Sequence, residues 1–584
     1  MRMSMREPVT GREVEYVTSE AGLREAVSAA AGSRRVGLDT ETTGLDPHRD
    51  RLRLLQLATP ERVWVMDAWQ VGALDPLGQL LADASILKIL HNAAFDLKFL
   101  RAAGLRRVAG LADTMLAGQL LAFGLGGESH ALAAMAKRHL GLELDKGLAA
   151  SDFGGVLTAG QLLYAARDAA VLLPLWEDLE RRLREAGLER AAKVEFGCVA
   201  AVADMEYAGI LLDLDRWEEL GLELRGERDA LKESLARTLV LPGTRSLFAE
   251  AEAANPNSPQ QVKQALSALG IDVPDTREST LKAIAGERPV VRDLLRYRGL
   301  EKLISTYIEG LPGHVNPATG RIHATYDQCR TAAGRFSCRE PNIQQVPRDP
   351  RFRRCFVAGE GKSLVICDYS QVELRIAAAL SGDRRMLDAY RRGMDLHVLT
   401  ASLISGKPVE EVTKTERQNS KPANFGLIYG MSAQGLQSYA RDNYGVNMSL
   451  DEAERFRSQF FMAYRGIAAW HRRQRQLKEV RTRSGRLRRF GGPPRVTELF
   501  NTPVQGTGAD ILKRAMARVR PHLLRCGAEL VACVHDELVA ECDSEAAPEL
   551  LSAMKREMEA AGEEFVPEAP IVAEGAIGRT WAEK

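Results

Sequence analysis

The run Leu364-Val-Ile-Cys-Asp368 reads as a buried strand that must release its carboxylate where it leaves the core. Such an aspartate can bind a metal while the strand behind it stays dry. A second run, Glu529 to Cys542 (ELVACVHDELVAEC), reads as two strands around a tight turn, with His535, Asp536 and Glu537 at its tip. A hairpin tip is a rigid place to present another metal-binding carboxylate. Between them lies Arg417 to Gly430 (RQNSKPANFGLIYG), where Arg417, Lys421, Phe425 and Tyr429 recur every four residues. On a helix that spacing makes one slowly drifting stripe. Two cations followed by two aromatics suit a triphosphate followed by a ribose and base. Taken singly, these segments read as a turn, an amphipathic helix and a polar hairpin. Their order and company point to chemistry.

The N-terminal third carries a separate set of acids. Residues 34–67 read as three short strands, RRVGLD, RLRLLQLAT and RVWVMD, and Ile86 to His91 as a fourth. Asp39 and Glu41 sit two apart at a strand end, so both side chains face one side and can reach one divalent cation. Asp96 follows in HNAAFDLKFL. Asp168 follows in YAARD, one helical turn after Tyr164. Four carboxylates supply the hard oxygen ligands of a site for two Mg²⁺ ions that clamp a phosphodiester and generate hydroxide at neutral pH.

Length and composition leave room for both sets. A chain of 584 residues, 45% hydrophobic and 27% charged, reads as several globular domains. No uncharged apolar stretch approaches the ~20 residues of a membrane span, and Met1 to Thr10 has no leader-like apolar run. Eight cysteines without a Cys-x-x-Cys pair fit a reducing compartment and argue against a zinc module. The reading is cytoplasmic, of a bacterium or of the host if phage-encoded, with no membrane partner. A formal charge of +1 excludes nothing, because nucleic-acid affinity follows local patches. Two basic runs qualify, Arg348 to Arg354 and Arg472 to Arg489, each also readable as a solvated face. From Lys193 to about Pro312 the pattern is almost wholly helical, and strand signals return at Ser363 and at Glu529. No internal repeat is present.

The N-terminal segments resemble the three motifs of DnaQ-like 3′→5′ exonucleases, which have a ribonuclease H-like fold. By that resemblance Asp39, Glu41 and Asp168 hold one metal and Asp39 with Asp96 the second, Tyr164 orients the attacking water, and Asn92 supports the strand end. The C-terminal segments resemble motifs A, B and C of family A DNA polymerases. Thr331 to Pro347 (TAAGRFSCREPNIQQVP), Asp395 to His397 (DLH), Asn501 to Asp510 (NTPVQGTGAD) and Leu294 to Tyr307 (LLRYRGLEKLISTY) resemble the family as well. The resemblance covers residues 30 to 584 and implies a multidomain α/β and α+β chain. An exonuclease domain over 1–192 precedes a right-hand polymerase over 193–584, with the thumb mainly 193–330, the palm 331–382 and 500–584, and the fingers 383–499.

The roles it implies are specific. Asp368 and Asp536, with the Tyr369 carbonyl, hold two Mg²⁺ ions, for which Mn²⁺ can substitute, and Glu537 and Lys421 join the catalytic group. Arg417, Lys421 and His397 hold the triphosphate as positive charge, Phe425 and Tyr429 form the platform for nucleotide and templating base, and Gln371 belongs to the same pocket. Glu373 blocks a ribose 2′-OH. Arg335, Asn342, Gln344, Asn501, Gln505 and His535 contact the minor groove and primer terminus, where acceptors look alike for all correct pairs. The expected partners are primer–template DNA and dNTPs, bound by a monomer. The alternative is a ribonuclease D-like exonuclease whose C-terminal region only grips nucleic acid.

Some residues depart from the family pattern. Ala333 and Cys338 replace a threonine and a serine, so local hydrogen bonds should differ. Thr497 stands where relatives place an arginine, with Arg495 as a nearby substitute. Pro422 marks either a bend in the fingers helix or a late start of its regular part. The first motif begins at Asp39, which leaves no room for a preceding 5′ nuclease domain. Replicative and repair roles both remain open.

Overall fold

The computed structural model describes residues 4–145, 147, 151–242 and 252–583. The N-terminal core is a seven-stranded sheet of β1 (Ser4–Arg6), β2 (Glu13–Val17), β3 (Arg35–Thr42), β4 (Leu52–Ala58), β5 (Arg62–Asp67), β6 (Leu87–Leu90) and β7 (Leu111–Asp113). Their order is β1-β2-β5-β4-β3-β6-β7. β3 pairs antiparallel with β4 and parallel with β6. Every residue of β4 is buried, which explains its near-continuous apolar sequence: both faces of the sheet are covered. Helices α1 (Ala93–Ala102) and α2 (Ala159–Glu185) supply much of that cover. Thr158 and Gln161 form a capping box that starts α2.

The next helix, α3 (Glu189–Ala208), is buried on two faces. Ala192, Phe196, Val199 and Ala203 join the N-terminal core, while Val194, Cys198, Val202 and Met205 join the C-terminal one. The expected boundary at residues 192 and 193 therefore cuts the first turn of one continuous helix. Beyond it, α4 (Leu214–Thr238) packs on α5 (Pro289–Leu303). Leu235, Val262, Leu266, Leu281 and Leu294 close a small core of their own at one end of this pair.

The C-terminal sheet begins with β8 (Lys362–Tyr369), which leads into α6 (Val372–Ser381). A helical block follows with α7 (Leu396–Ser405), α8 (Lys414–Ile428) and the 30-residue α9 (Val496–Arg525). The chain returns to the sheet as β9 (Glu529–Val534) and β10 (Glu537–Asp543), crosses it as α10 (Ala547–Phe565), and ends on β11 (Ala573–Gly578). The order is β9-β10-β8-β11, antiparallel throughout. β8 lies inside the sheet, and Leu364, Val365, Ile366 and Cys367 are fully buried. Each such aliphatic side chain is worth roughly 1.5–3 kcal/mol when buried, so the strand is anchored and its polar end is exact in register: Asp368 stands opposite Glu537.

Candidate active sites

In the C-terminal half, β8 carries Asp368 to the end of the sheet, and the β9–β10 hairpin turns there through His535 and Asp536, His535 taking a left-handed φ of 59°. The Tyr369 amide donates to the Asp536 carbonyl at 3.4 Å, so the two aspartates leave neighbouring strand ends together. They line one cleft of about 520 Å³ with Gln371, Glu373, Phe425, Arg335, Gln344 and His535. An adjoining cleft of about 550 Å³ shares Arg335, Gln344 and His535 and adds Asn342, Asn501 and Gln505. Arg348, Tyr439 and Tyr444 also line the first cleft. The basic run at Arg348 was a signal for the first of these. Nothing in the sequence marked the tyrosines.

Glu373 is clamped, with one carboxylate oxygen on the Arg335 guanidinium and the other on the Tyr429 hydroxyl. Burial, with the Glu373 charge adding to it, pushes the Tyr429 phenol well up, so it stays a donor. α8 presents Arg417, Lys421 and Phe425 along one side, and Tyr429 caps its end. Arg417 pairs with Asp395 at 2.6 Å. Gly430 ends the helix at φ 76°, and a Cβ there would stand 2.5 Å from the Phe500 ring, so only glycine fits.

Three expectations are corrected. Glu537 is buried and turned away from the cleft. Its Oε1 accepts from Trp581 Nε1 at 2.7 Å and from Arg353 at 3.4 Å, because Glu537 is already the first residue of β10 while Asp536 still belongs to the turn. His397 brings no positive charge. Burial, opposed by Asp395 and reinforced by Arg417 and Lys421, holds its pKa at about 4, and its Nδ1 accepts from the Asn424 amide at 2.8 Å. The late-start reading of Pro422 fails, since α8 begins at Lys414 with a Thr413–Glu416 capping box and runs unbroken through the proline.

The basic runs divide. Arg486 is fully buried, Arg488 bonds Thr502 and Glu498, and Arg489 donates to the Leu121 carbonyl, while Arg472, Arg473 and Arg475 remain exposed. Thr497 and Arg495 are both exposed at the start of α9. The Cys338 thiol donates to the Pro341 carbonyl at 3.3 Å.

In the N-terminal half, β3 places Asp39 and Glu41 on one face, α1 contributes the buried Asp96, and α2 contributes Asp168 and Tyr164. Thr40 Oγ1 donates to Asp96 at 2.6 Å and Arg167 to Asp168 at 2.7 Å. Burial raises the Asp39 carboxyl well above its ordinary value, and Asp96, Glu41 and Asp168 raise it further. Burial, with Asp168 and Asp96 and against Arg167, lifts Glu41 to about 8; burial lifts Asp96 to about 7 against its bond from Thr40. Asn92 supports the strand end through its backbone: in a left-handed φ of 64° it donates its amide to Asp113 at 3.3 Å, and Ala93 adds a second amide at 2.7 Å. Asp113, Thr40 and Arg167 make contacts at this corner that residue spacing did not reveal.

Among the described residues, no group of three or more His, Cys, Asp or Glu side chains is drawn into coordinating geometry. The donor chemistry nevertheless fits a divalent cation in the N-terminal corner. Four carboxylates share a half-buried space, and their mutual repulsion is what a hard cation with oxygen ligands relieves. The pair of aspartates at the C-terminal sheet end offers the same ligand type.

The model of DNA polymerase family A matches residues 242–583, and a 3′–5′ exonuclease model matches residues 14–184. The chain is 36% identical to DNA polymerase I of Aquifex aeolicus over 97% of its own length and 99% of that protein. It is 31% identical to DNA polymerase I of Pseudomonas aeruginosa, covering 98% of this chain and 66% of the relative. A solved structure, the POL domain of Pol1 from M. smegmatis in complex with DNA primer–template and dNTP, superposes with a TM-score of 0.80. That match is at 27% identity and covers 97% of this chain and 99% of the other.

Proposed function

The chain belongs to DNA polymerase family A, and from that premise we propose that its C-terminal cleft extends a primer 3′-OH along a DNA template and its N-terminal corner removes mispaired 3′ ends. It is a DNA polymerase with a 3′→5′ exonuclease domain. The ribonuclease D-like alternative falls with the polymerase match over residues 242–583. The observation that carries the catalytic reading is the meeting of Asp368 and Asp536 in a cleft shared with Glu373 and Phe425.

Divalent cations, Mg²⁺ with Mn²⁺ as substitute, would be held by Asp368, the Tyr369 carbonyl and Asp536 in the cleft, and by Asp39, Glu41, Asp96 and Asp168 in the corner, and would supply Lewis-acid activation of the attacking and leaving oxygens. Phe425 and Tyr429 stack against the incoming nucleotide and the templating base. Arg417 and Lys421 take its phosphates, Arg417 exchanging the Asp395 carboxylate for phosphate oxygens as α8 closes. Lys421 stands to protonate the departing pyrophosphate. His397, held neutral, offers its ring N–H to the same phosphates. Gln371 and Glu373 border the sugar, and Glu373 excludes a 2′-OH. Arg335, Gln344, His535, Asn342, Asn501 and Gln505 follow the minor groove from one cleft into the next, testing pair shape without reading sequence. In the corner, Tyr164 orients the attacking water. The M. smegmatis neighbour bound to primer–template and dNTP supports these partners. Action as a cytoplasmic monomer belongs to the same proposal; no helix among the described residues is long and apolar enough to cross a membrane.

The test is a 5′-labelled primer on a longer template with Mg²⁺, with and without dNTPs. Extension is expected to vanish only in Asp368→Ala, and dNTP-free shortening only in Asp39→Ala. Shortening without extension by the wild-type chain would overturn the assignment of the cleft.

A further inference from the structure

A cluster of fully buried charges lies outside both sites. Glu195 of α3, Arg486 of the ribbon Glu479–Arg489, and Asp510 and Lys513 of α9 are all fully buried. Arg486 Nε donates to Asp510 Oδ1 at 3.0 Å, and its Nη2 reaches both Asp510 and Glu195. Lys513 uses all three of its N–H groups, on Glu195 Oε1 at 2.6 Å, the Gln328 carbonyl at 2.7 Å and the Gly334 carbonyl at 2.8 Å. Gln328 closes the loop by donating to Glu195 Oε2 at 2.7 Å. Two cations and two anions balance. Apolar packing of the same volume would stabilise the fold as well or better, so stability alone does not account for the cluster.

What the cluster touches is the segment that ends in Arg335. Lys513 grips that segment at two carbonyls, six residues apart. Gly334 takes φ 76°, and a Cβ there would stand 3.0 Å from Arg486 Nε. From α9, Gly506 comes so near the Ala333 carbonyl that a Cβ would stand 3.0 Å from it. The next residue leaves the cluster for the cleft: the Arg335 guanidinium meets Glu373, which also takes the Tyr429 hydroxyl.

We propose that the buried Glu195–Arg486–Asp510–Lys513 cluster is the positioning device for Arg335, with Lys513 and Glu195 as positioning residues, and that it ties the primer-terminus contact to the helix that follows the exonuclease domain. This rests on the reading of Arg335 as a primer-terminus contact. A guanidinium in a minor groove acts only if its backbone is fixed to a fraction of an ångström, and displacement of about 1 Å at such a contact can slow chemistry up to about a hundredfold. The cluster supplies that fixity from below while Arg335 itself remains in the wet cleft.

Single-nucleotide extension is timed in the full chain, on a primer whose phosphorothioate end resists the exonuclease, for Glu195→Gln, Lys513→Met, Arg335→Ala and the Glu195→Gln/Arg335→Ala pair. Glu195→Gln is the milder change, keeping volume and an acceptor, and an unaltered rate of single-strand shortening reports that it is folded; it decides alone if Lys513→Met does not fold. The expected result is a kcat loss of about tenfold in Glu195→Gln, with the dNTP KM within about twofold and no further loss when Arg335 is already alanine. An equal loss in the Arg335→Ala background, or an unchanged kcat in Glu195→Gln, overturns the proposal. No effect of Arg335→Ala itself would instead overturn the reading of Arg335.

Discussion

At the scale of single residues, neighbours in sequence part company in space. Asp536 faces the cleft while Glu537, one position on, is bonded to Trp581. Glu373 shows the opposite effect, as it joins residues from three distant segments. Its carboxylate is held on both oxygens, by Arg335 and by Tyr429, which is the rigidity that the proposed steric role requires. Glu373→Ala is therefore expected to raise ribonucleotide use relative to deoxynucleotide by roughly ten- to a hundredfold, the scale of a steric filter. The paired kcat/KM values for one rNTP and its dNTP check this. An unchanged ratio would remove Glu373 from sugar selection.

At the scale of elements, α8 carries the stripe and also a fault. Pro422 lies eight residues inside it and cannot donate an amide to the preceding turn. An interior proline costs about 3 kcal/mol against alanine. Replacing it also removes two buried methylenes, each worth about 0.8 kcal/mol. Pro422→Ala should thus stabilise α8 by roughly 1 kcal/mol while the stripe side chains keep their places. Slower amide hydrogen exchange along Lys414–Ile428 with polymerisation retained is the expected outcome. Faster exchange would mean that the surrounding packing depends on the proline ring.

At the scale of the whole molecule, α3 belongs to two cores and carries Glu195 into the cluster that joins them. Burial alone would raise the Glu195 carboxyl, but Lys513 and Arg486 outweigh it and hold the pKa at about 2, below the ordinary 4.5. A depressed carboxyl contributes stability that is complete above pH 4.5 and drains away as pH falls from there towards 2. Removing one partner of a buried pair costs roughly 3 kcal/mol. Glu195→Gln should therefore melt well below wild type at pH 6, and the gap should narrow as pH falls from 4.5 towards 3. A gap independent of pH would show that Glu195 is not ionised in the fold.

Whatever rests on local period was open to reading from the chain alone. The apolar run before Asp368, the fourfold stripe from Arg417 to Tyr429, and the pairing of Asp39 with Glu41 on one face all follow from strand and helix geometry within a few residues. The order of the acidic segments along the chain carried the family. Tertiary structure decided what depends on groups arriving from elsewhere. His397 is neutral because its element is buried beside Arg417 and Lys421. Arg486 is fully buried although Arg472, Arg473 and Arg475 of the same basic run are exposed. Tyr439 and Tyr444 face the cleft because of how their helix packs, which no spacing within it records. Charge state and burial are set by distances across the fold, and those exist only once the elements have been brought together.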